Sequence, residues 1–533
     1  MLNMKKWSVV IILAFASFVM VLDSTVMNVS ISTVVKDLNT TVSSMQAAIT
    51  FYTLTMAALM LLGGKLGDIW GRKRSFMIGA AIYGIGSLIT ATSQSFLMLF
   101  FGWSIIEGIG AVLVIPAVVA LVATNYKGAD RVKAYAIIGG ISGAAAAAGP
   151  LIGGYFTTYL SWRYVFVSEI FIMAIVLLLS KYIRDERLKN RVSKIDIPSV
   201  ILSASGFAMF VFGMLQSKTW GWIEPRVIPV IGNVKIAPLG ISMTAYFILA
   251  GFVTLYSFYK RQQRLESEGK NPLLKVSMFK IAQLRSGVSV LMAMYLVIGA
   301  TFFIIPVYLQ MTLGYNALET GLKIFPLSIA LIAFSMIGAR LVSTWSPKKI
   351  IHLGQYMLIV GVLLLVGAMD TELRNGLFAI GMFILGSGIG LLASQIGNVN
   401  ISAVSNKESS EVGGVQGVFQ NLGSTLGTAL IGSVLIGTLT TSFVTNVQSS
   451  TLPTDIKTYV QTNSTAGVTI VPVSQVSAYA KSRGMNEQEA SETTDVYAKS
   501  QISALKQSLF ALFVISLLTV LLARNIPDEI IKK

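Results

Sequence analysis

Runs of about twenty or more apolar residues recur along the whole chain, and the short segments between them gather most of its charge. A helix needs roughly 20 such residues to cross the hydrocarbon core of a bilayer. Only helices and closed barrels satisfy their backbone groups there. The pattern therefore predicts an all-α polytopic membrane protein. Composition agrees: 12% of the 533 residues are charged and 54% are hydrophobic, against about 25% charged in ordinary soluble domains. The runs predict fourteen transmembrane helices, near 8–32, 46–64, 76–92, 96–124, 132–160, 163–181, 197–216, 236–260, 285–311, 318–344, 349–369, 376–402, 408–437 and 506–525.

The formal net charge of +17 suggests nucleic acid at first sight. Topology explains it better, because cytoplasmic loops of membrane proteins carry excess Lys and Arg. The loops at 181–196 and 260–285 are strongly basic, which puts both, and both termini, on the cytoplasmic side. No nucleic-acid partner is expected. The basic flank of the first span (Lys5, Lys6) resembles a signal peptide, but no convincing cleavage site follows, so the span is read as retained. The chain contains no Cys and a single His. That removes disulfides and thiolate metal sites and leaves His352 as an interfacial residue beside Lys348 and Lys349. With no Gly-rich phosphate loop either, no catalytic set, metal site or cofactor is expected, and the chain is not read as an enzyme.

An internal repeat organises the spans. Gly63–Arg74 matches Gly338–Lys349, Glu107–Gly110 matches Ser387–Gly390, and Pro150–Gly153 matches Ala429–Gly432, all at shifts of about 280 residues. Three matches in order argue for two six-helix halves, 1–185 and 285–533, with an inserted helix pair and its basic flanks at 186–284. Parallel repeats of this kind are a transporter architecture, with the substrate site near mid-membrane between the halves. The outer loop 438–505 is polar, and its second part favours helix, so a partly helical hairpin over the outer mouth is expected.

Acids inside the spans carry the chemistry. Asp23 lies some sixteen residues past Trp7, about 24 Å along a helix. A charged side chain at that depth costs about 2.5–3.5 kcal/mol on insertion scales and normally faces a cavity or a partner. Such a group is able to load and release a proton. Glu107 reaches a comparable depth in the fourth span. Glu169, six residues past Arg163, is expected nearer the outer surface. No Lys or Arg lies deep enough in this half to pair with them, which points to protons or cations; the alternative is a structural acid bonded to neighbouring helices.

The turn between the second and third spans contains Gly64, Gly67, Asp68, Gly71 and Arg72, followed by Lys73 and Arg74. Its glycines let the backbone bend sharply, and Asp68 is placed to cap a helix or pair with a base. The fifth span carries Gly149, Pro150, Gly153 and Gly154, a composition that permits close helix approach and kinking. Gln395, Asn398, Gln416, Gln420 and Asn421 set amides in the twelfth and thirteenth spans, where they either meet substrate or join helices. Aromatics such as Tyr52, Tyr308 and Phe419 line a cavity or pack.

With these motifs assembled, the chain resembles the major facilitator superfamily, specifically its fourteen-helix drug:proton antiporter branch of quaternary-ammonium and multidrug exporters. Gly64–Arg74 resembles the superfamily signature between the second and third helices. Leu22–Asn28 resembles the branch's first-helix motif, whose acid is associated with proton coupling or cationic substrates, and it brings Asn28 into the site. Gly149–Gly154 resembles the antiporter motif of the fifth helix, and Trp162–Phe166 and Pro306–Gln310 resemble further branch features. Two departures stand out. Ser104 and Glu107 occupy positions where the pattern has arginine and glutamine, and Glu169 stands where it usually has asparagine. The cavity thereby loses a base and gains acids.

The resemblance implies a proton-coupled exporter of amphipathic, cationic small molecules, monomeric and multi-pass in the inner (cytoplasmic) membrane, driven by the proton gradient. Asp23, Glu107, Glu169 and Asn28 would serve coupling and substrate. Gly64, Asp68, Gly71, Arg72, Gly149, Pro150, Gly153 and Gly154 would serve conformational gating, and Gln310, Gln395, Asn398, Gln416 and Gln420 would be polar cavity residues. Rival readings are a flippase or exporter of lipids, glycolipids or an endogenous metabolite, and a receptor that uses loop 438–505.

Overall fold

A computed structural model describes residues 4–40, 42–184, 195–231, 234–405, 408–464, 467–468 and 470–529. The first helices are α1 (Met4–Asp37), α2 (Val42–Trp70) and α3 (Arg72–Ala91). α4 (Phe96–Leu99) continues through a π-helical stretch, Phe100–Glu107, into α5 (Gly108–Asn125). α6 (Gly128–Tyr159) and α7 (Arg163–Leu179) follow. Next come α8 (Ile197–Trp220) and α9 (Met243–Ser267). α10 (Ala282–Pro306) leads to α11 (Ala317–Leu341), α12 (Pro347–Ala368) and α13 (Asn375–Ser402). The chain ends with α14 (Ser409–Gln448), α15 (Thr454–Asn463), α16 (Val473–Ser482) and α17 (Glu487–Thr519). The exception to helix among the described residues is a ribbon between α8 and α9, where Val230–Ile231 pairs antiparallel with Val234–Lys235.

Twelve helical segments of the described residues are long and apolar enough to cross a membrane. α6 and α9 are not among the twelve. α9 ends in Lys260, Arg261 and Arg264, and α6 has side chains at its middle that lie outside the described residues. Large apolar side chains point outward along the spans; on α7, Phe171, Ile175 and Leu178 are all exposed. A surface so apolar suits a lipid solvent and would be a liability in water.

Local signals set the helix ends. Asn316 with Glu319, and Asn486 with Glu489, form reciprocal capping boxes at the starts of α11 and α17. Ser346 caps α12 ahead of Pro347 at its first turn. At the start of α8, the Asp196 carboxylate accepts from the Ser199 N–H and grips Arg261 of α9 through two bonds of 2.7 Å. Hydrogen bonds from Arg261 hold the Asp196 carboxyl down at about 2.

α1, α2, α3, α5, α6 and α7 pack among themselves, as do α10 to α14 and α17. The two groups meet where α6 lies along α11 and where α14 lies along α2 and α5. α8 pairs with α9 and touches α2 and α14. Loop 438–505 is largely helical: α14 extends to Gln448, α15 packs on it, α16 packs on α17, and α17 begins at Glu487. Val447, Leu452, Ile456, Val460, Val476 and Tyr497 continue the apolar core of α10–α17 into this outer cap.

Candidate functional site

The acids predicted from sequence converge. Asp23 of α1, Glu107 at the end of the π-helical stretch and Glu169 of α7 are fully buried, and each brings a carboxylate oxygen within 4.8 Å of the others. Glu169, expected nearer the outer surface, joins the same cluster because α7 packs against both α1 and α3. Neutral donors hold the three. The Trp103 indole N–H reaches both Asp23 oxygens at 2.8 Å. The Thr90 hydroxyl donates to Glu107 Oε1 at 3.2 Å, and the Ser87 hydroxyl to Glu169 Oε2 at 3.1 Å. Glu107 Oε2 and Glu169 Oε1 are buried with no hydrogen-bond partner. No Lys or Arg is ion-paired to any of the three among the described residues.

Backbone geometry produces this convergence. The widened π-helical turn carries both Trp103 and Glu107, and such stretches often mark functional sites. Gly86 lets α3 approach so closely that a Cβ there would lie 2.5 Å from Glu107 Cγ and 2.8 Å from the Gly102 oxygen. Tyr52 stacks on Trp103 at 5.1 Å between centroids, with 7° between planes. Ser104, which stands where the resemblance expects a base, donates instead to the Ala48 carbonyl at 2.8 Å. Trp103, Ser87, Thr90 and Gly86 were not foreseen. The signal for Trp103 was its place one turn before Glu107 on the same apolar run.

Grouped acids are also what a divalent cation seeks. Here an indole N–H already bonds both Asp23 oxygens, while Glu107 Oε2 and Glu169 Oε1 stay unbonded. The arrangement suits protons, or an organic cation entering beside the aromatic pair.

The other predicted residues occupy several places. Asn28 and Pro150 sit in α1 and α6, and their side chains lie outside the described residues. Gly149 and Gly153 are where α6 meets α1; a Cβ at Gly149 would lie 1.8 Å from Thr25 Oγ1, and one at Gly153 2.9 Å from Val26. Gly154 is buried beside them. Gly71 has a φ of +97° at the turn into α3, a conformation glycine adopts freely. Asp68 is buried, and Arg72 is buried with its guanidinium 2.6 Å from Thr124 Oγ1. Gly64 lies under α14, 3.6 Å from where a Gly414 Cβ would stand.

In the second half, Gln395 donates to the Gly338 carbonyl at 2.9 Å and so joins α13 to α11. Asn398 accepts from Arg131 of α6 at 2.8 Å. Gln416 is buried with its amide nitrogen unbonded, and Gln310 and Gln420 are half-buried. Asn421 bonds back to its own helix at Gly417. Sequence reasoning missed an ion pair between helices far apart in the chain. Lys65 of α2 meets Glu411 of α14 at 3.4 Å, their side chains 5% and 6% exposed. Lys275, just ahead of α10, donates its backbone N–H to Glu411 and its ammonium to Glu408.

Known proteins resemble this chain along most of its length. A puromycin resistance protein of Streptomyces alboniger is 29% identical over 445 residues, covering 81% of this chain and 82% of the relative. The tetracenomycin C resistance and export protein of Streptomyces glaucescens is 25% identical, covering 81% and 76% respectively. The multidrug resistance protein Stp of Mycobacterium tuberculosis is 24% identical, covering 78% and 74%. Among solved structures, the human organic anion transporter MFSD10 superposes with a TM-score of 0.57 at 12% identity, covering 96% of this chain and 99% of that one. The proton:xylose symporter XylE gives 0.52 at 14%, covering 93% and 94%. Residues 13–428 match the family model of the Major Facilitator Superfamily. The chain therefore belongs to the Major Facilitator Superfamily, whose members are multi-pass membrane transporters of small molecules.

Proposed function

We propose that this protein is a proton-coupled drug exporter, an antiporter that moves amphipathic, cationic small molecules out of a bacterial cell by alternating access. The carrying observation is the three-acid cluster buried between the helices, held by neutral donors and lacking any basic partner among the described residues. The antibiotic-resistance and export names of its relatives support outward transport of drug-like small molecules.

In this reading the membrane-embedded chain has fourteen helices, the twelve segments plus α6 and α9. It forms two six-helix halves with α8 and α9 inserted, both termini cytoplasmic, and acts as a monomer. Asp23, with Glu107 and Glu169, exchanges protons for cargo. Deprotonated acids receive a cation from the inside, and protons arriving from the outside displace it. Each proton returning inward releases about 2.3 kcal/mol per 100 mV of membrane potential. The buried Trp103–Tyr52 stack offers an aromatic face beside the carboxylates, and a cation over such a face gains about 0.5–2 kcal/mol. The Gly64–Arg72 turn and the Gly149–Gly154 contact bias the two facing states without touching cargo.

Proteoliposomes test it. Purified protein should move a panel of organic cations against an imposed pH gradient and membrane potential, and Asp23→Asn should abolish that movement while the variant stays folded. Undiminished gradient-driven transport by Asp23→Asn would overturn the assignment, as would transport indifferent to cargo charge.

A further inference from the structure

Three basic residues follow one another at the start of α3, and the helix sends them in different directions. Arg72 turns inward, buried on Thr124. Lys73 and Arg74 turn outward, and among the described residues neither has a hydrogen bond, ion pair or ring partner. Both stand at the rim of a groove of about 390 Å³ between α3 and α7. Its remaining lining is Met77, Ile78, Ala81 and Leu177, and the wall is almost wholly apolar.

The spacing gives the groove a polarity. Met77 and Ile78 lie one turn beyond the two bases, and Ala81 one turn further, on the same face of α3. From Lys73 to Ala81 is eight residues, about 12 Å along the helix. Leu177, near the end of the antiparallel α7, closes the other side. The site thus has two positive charges at one end and a hydrocarbon-lined slot running away from them towards the bilayer interior. It has the shape and charge of an anionic amphiphile's negative image. The cytoplasmic leaflet holds anionic lipid, and basic pockets between membrane helices on that side bind such headgroups.

We propose that this groove binds an anionic phospholipid of the cytoplasmic leaflet, its phosphate between Lys73 and Arg74 and one acyl chain along Met77, Ile78 and Leu177. The inference rests on the proposed orientation, with the α2–α3 turn inside. It is separate from the acid cluster: an organic cation is drawn to Asp23, Glu107 and Glu169 and repelled by Lys73 and Arg74. The groove lies beside the Asp68–Arg72 turn, so lipid occupancy bears directly on the segment proposed to bias the facing states.

The test is native mass spectrometry of the full-length protein in detergent, titrated with phosphatidylglycerol or with phosphatidylcholine of the same acyl chains. The expected result is one tightly held phosphatidylglycerol and no matching phosphatidylcholine adduct. Lys73→Gln with Arg74→Gln should weaken that adduct about 30-fold. Ala81→Phe keeps both charges and fills the slot, and should abolish it; this variant also serves should the double substitution fail to fold. Equal retention of the two lipids, a double variant that binds like wild type, or binding indifferent to Ala81→Phe would each overturn the proposal. Because transport is not read, a failed antiport assay leaves this result intact. Labelling of Lys127→Cys from the inside only, in a chain without native cysteine, checks the orientation separately.

Discussion

Replacing Lys65 by Met should open the protein on the side where α2 meets α14. The Lys65–Glu411 pair joins helices 346 residues apart in sequence at 3.4 Å, with both side chains almost wholly excluded from solvent. Removing one member of a buried pair leaves an uncompensated charge and typically costs about 3–5 kcal/mol. Glu411 keeps the Lys275 backbone N–H at 3.3 Å, so the lower end applies, about 3 kcal/mol against the packed arrangement. That penalty vanishes wherever α2 and α14 part and water reaches Glu411. The equilibrium between shut and open forms should therefore move about 150-fold towards open. Spin labels on Lys127→Cys and Thr344→Cys, exposed at the ends of α5 and α11, would read this as a longer distance population in double electron–electron resonance. Lys65→Met with Glu411→Leu removes both charges and should restore the short distance, because a well-packed apolar pair replaces a buried ion pair at little loss. An unchanged distribution in Lys65→Met, or a double variant as open as the single one, would refute the reasoning.

Further outcomes follow from the cluster and the caps. Trp103→Phe keeps a ring against Tyr52 but removes the donor to both Asp23 oxygens, a hydrogen bond to a charged group worth about 1.5–3 kcal/mol; efflux should fall at least about tenfold and its pH profile should move, measured in proteoliposomes. Gly86→Ala should lower stability by about 1–3 kcal/mol through overpacking against the Glu107 backbone, whereas Gly84→Ala, whose Cβ would sit 3.6 Å from Met173, should be tolerated; thermal unfolding compares the two. Asp196→Ala removes the cap of α8 and its tie to Arg261, with a loss of about 0.5–2 kcal/mol. The Asp196 carboxyl lies at about 2 in the folded chain, below its ordinary 3.8, so its contribution is complete above about pH 4 and disappears as pH falls towards 2. Acid melting curves of wild type and Asp196→Ala should converge in that window.

Much of this was legible from residues alone. Asp23, Glu107 and Glu169 announced themselves because a carboxylate inside an apolar run has no packing excuse. Their meeting point was harder to read for Glu169, whose depth was counted along one helix, while its neighbours are set by how α7 leans on α1 and α3. Trp103 was passed over because an aromatic in a membrane span is ordinarily packing, and its place one turn before Glu107 gains meaning only from the Asp23 contact. Lys65 read as one more inside-facing base, since nothing local names a partner more than 300 residues away. The helical part of loop 438–505 was expected from its composition, but not where it begins. Asn486 and Glu489 spell a capping box three residues apart, a helix start that loop polarity obscured.

The unbroken run of α14 has a mechanical consequence. Its 40 residues make a rod about 60 Å long, roughly twice the hydrocarbon thickness, with Glu411 near one tip and the cap at the other. A tilt of about 10° pivoting at the inner tip would sweep the far one through roughly 10 Å. The cap is thus a handle on the rod: an antibody fragment clamping the exposed Tyr459 or Tyr479 would seize the lever whose opposite end carries the buried ion pair.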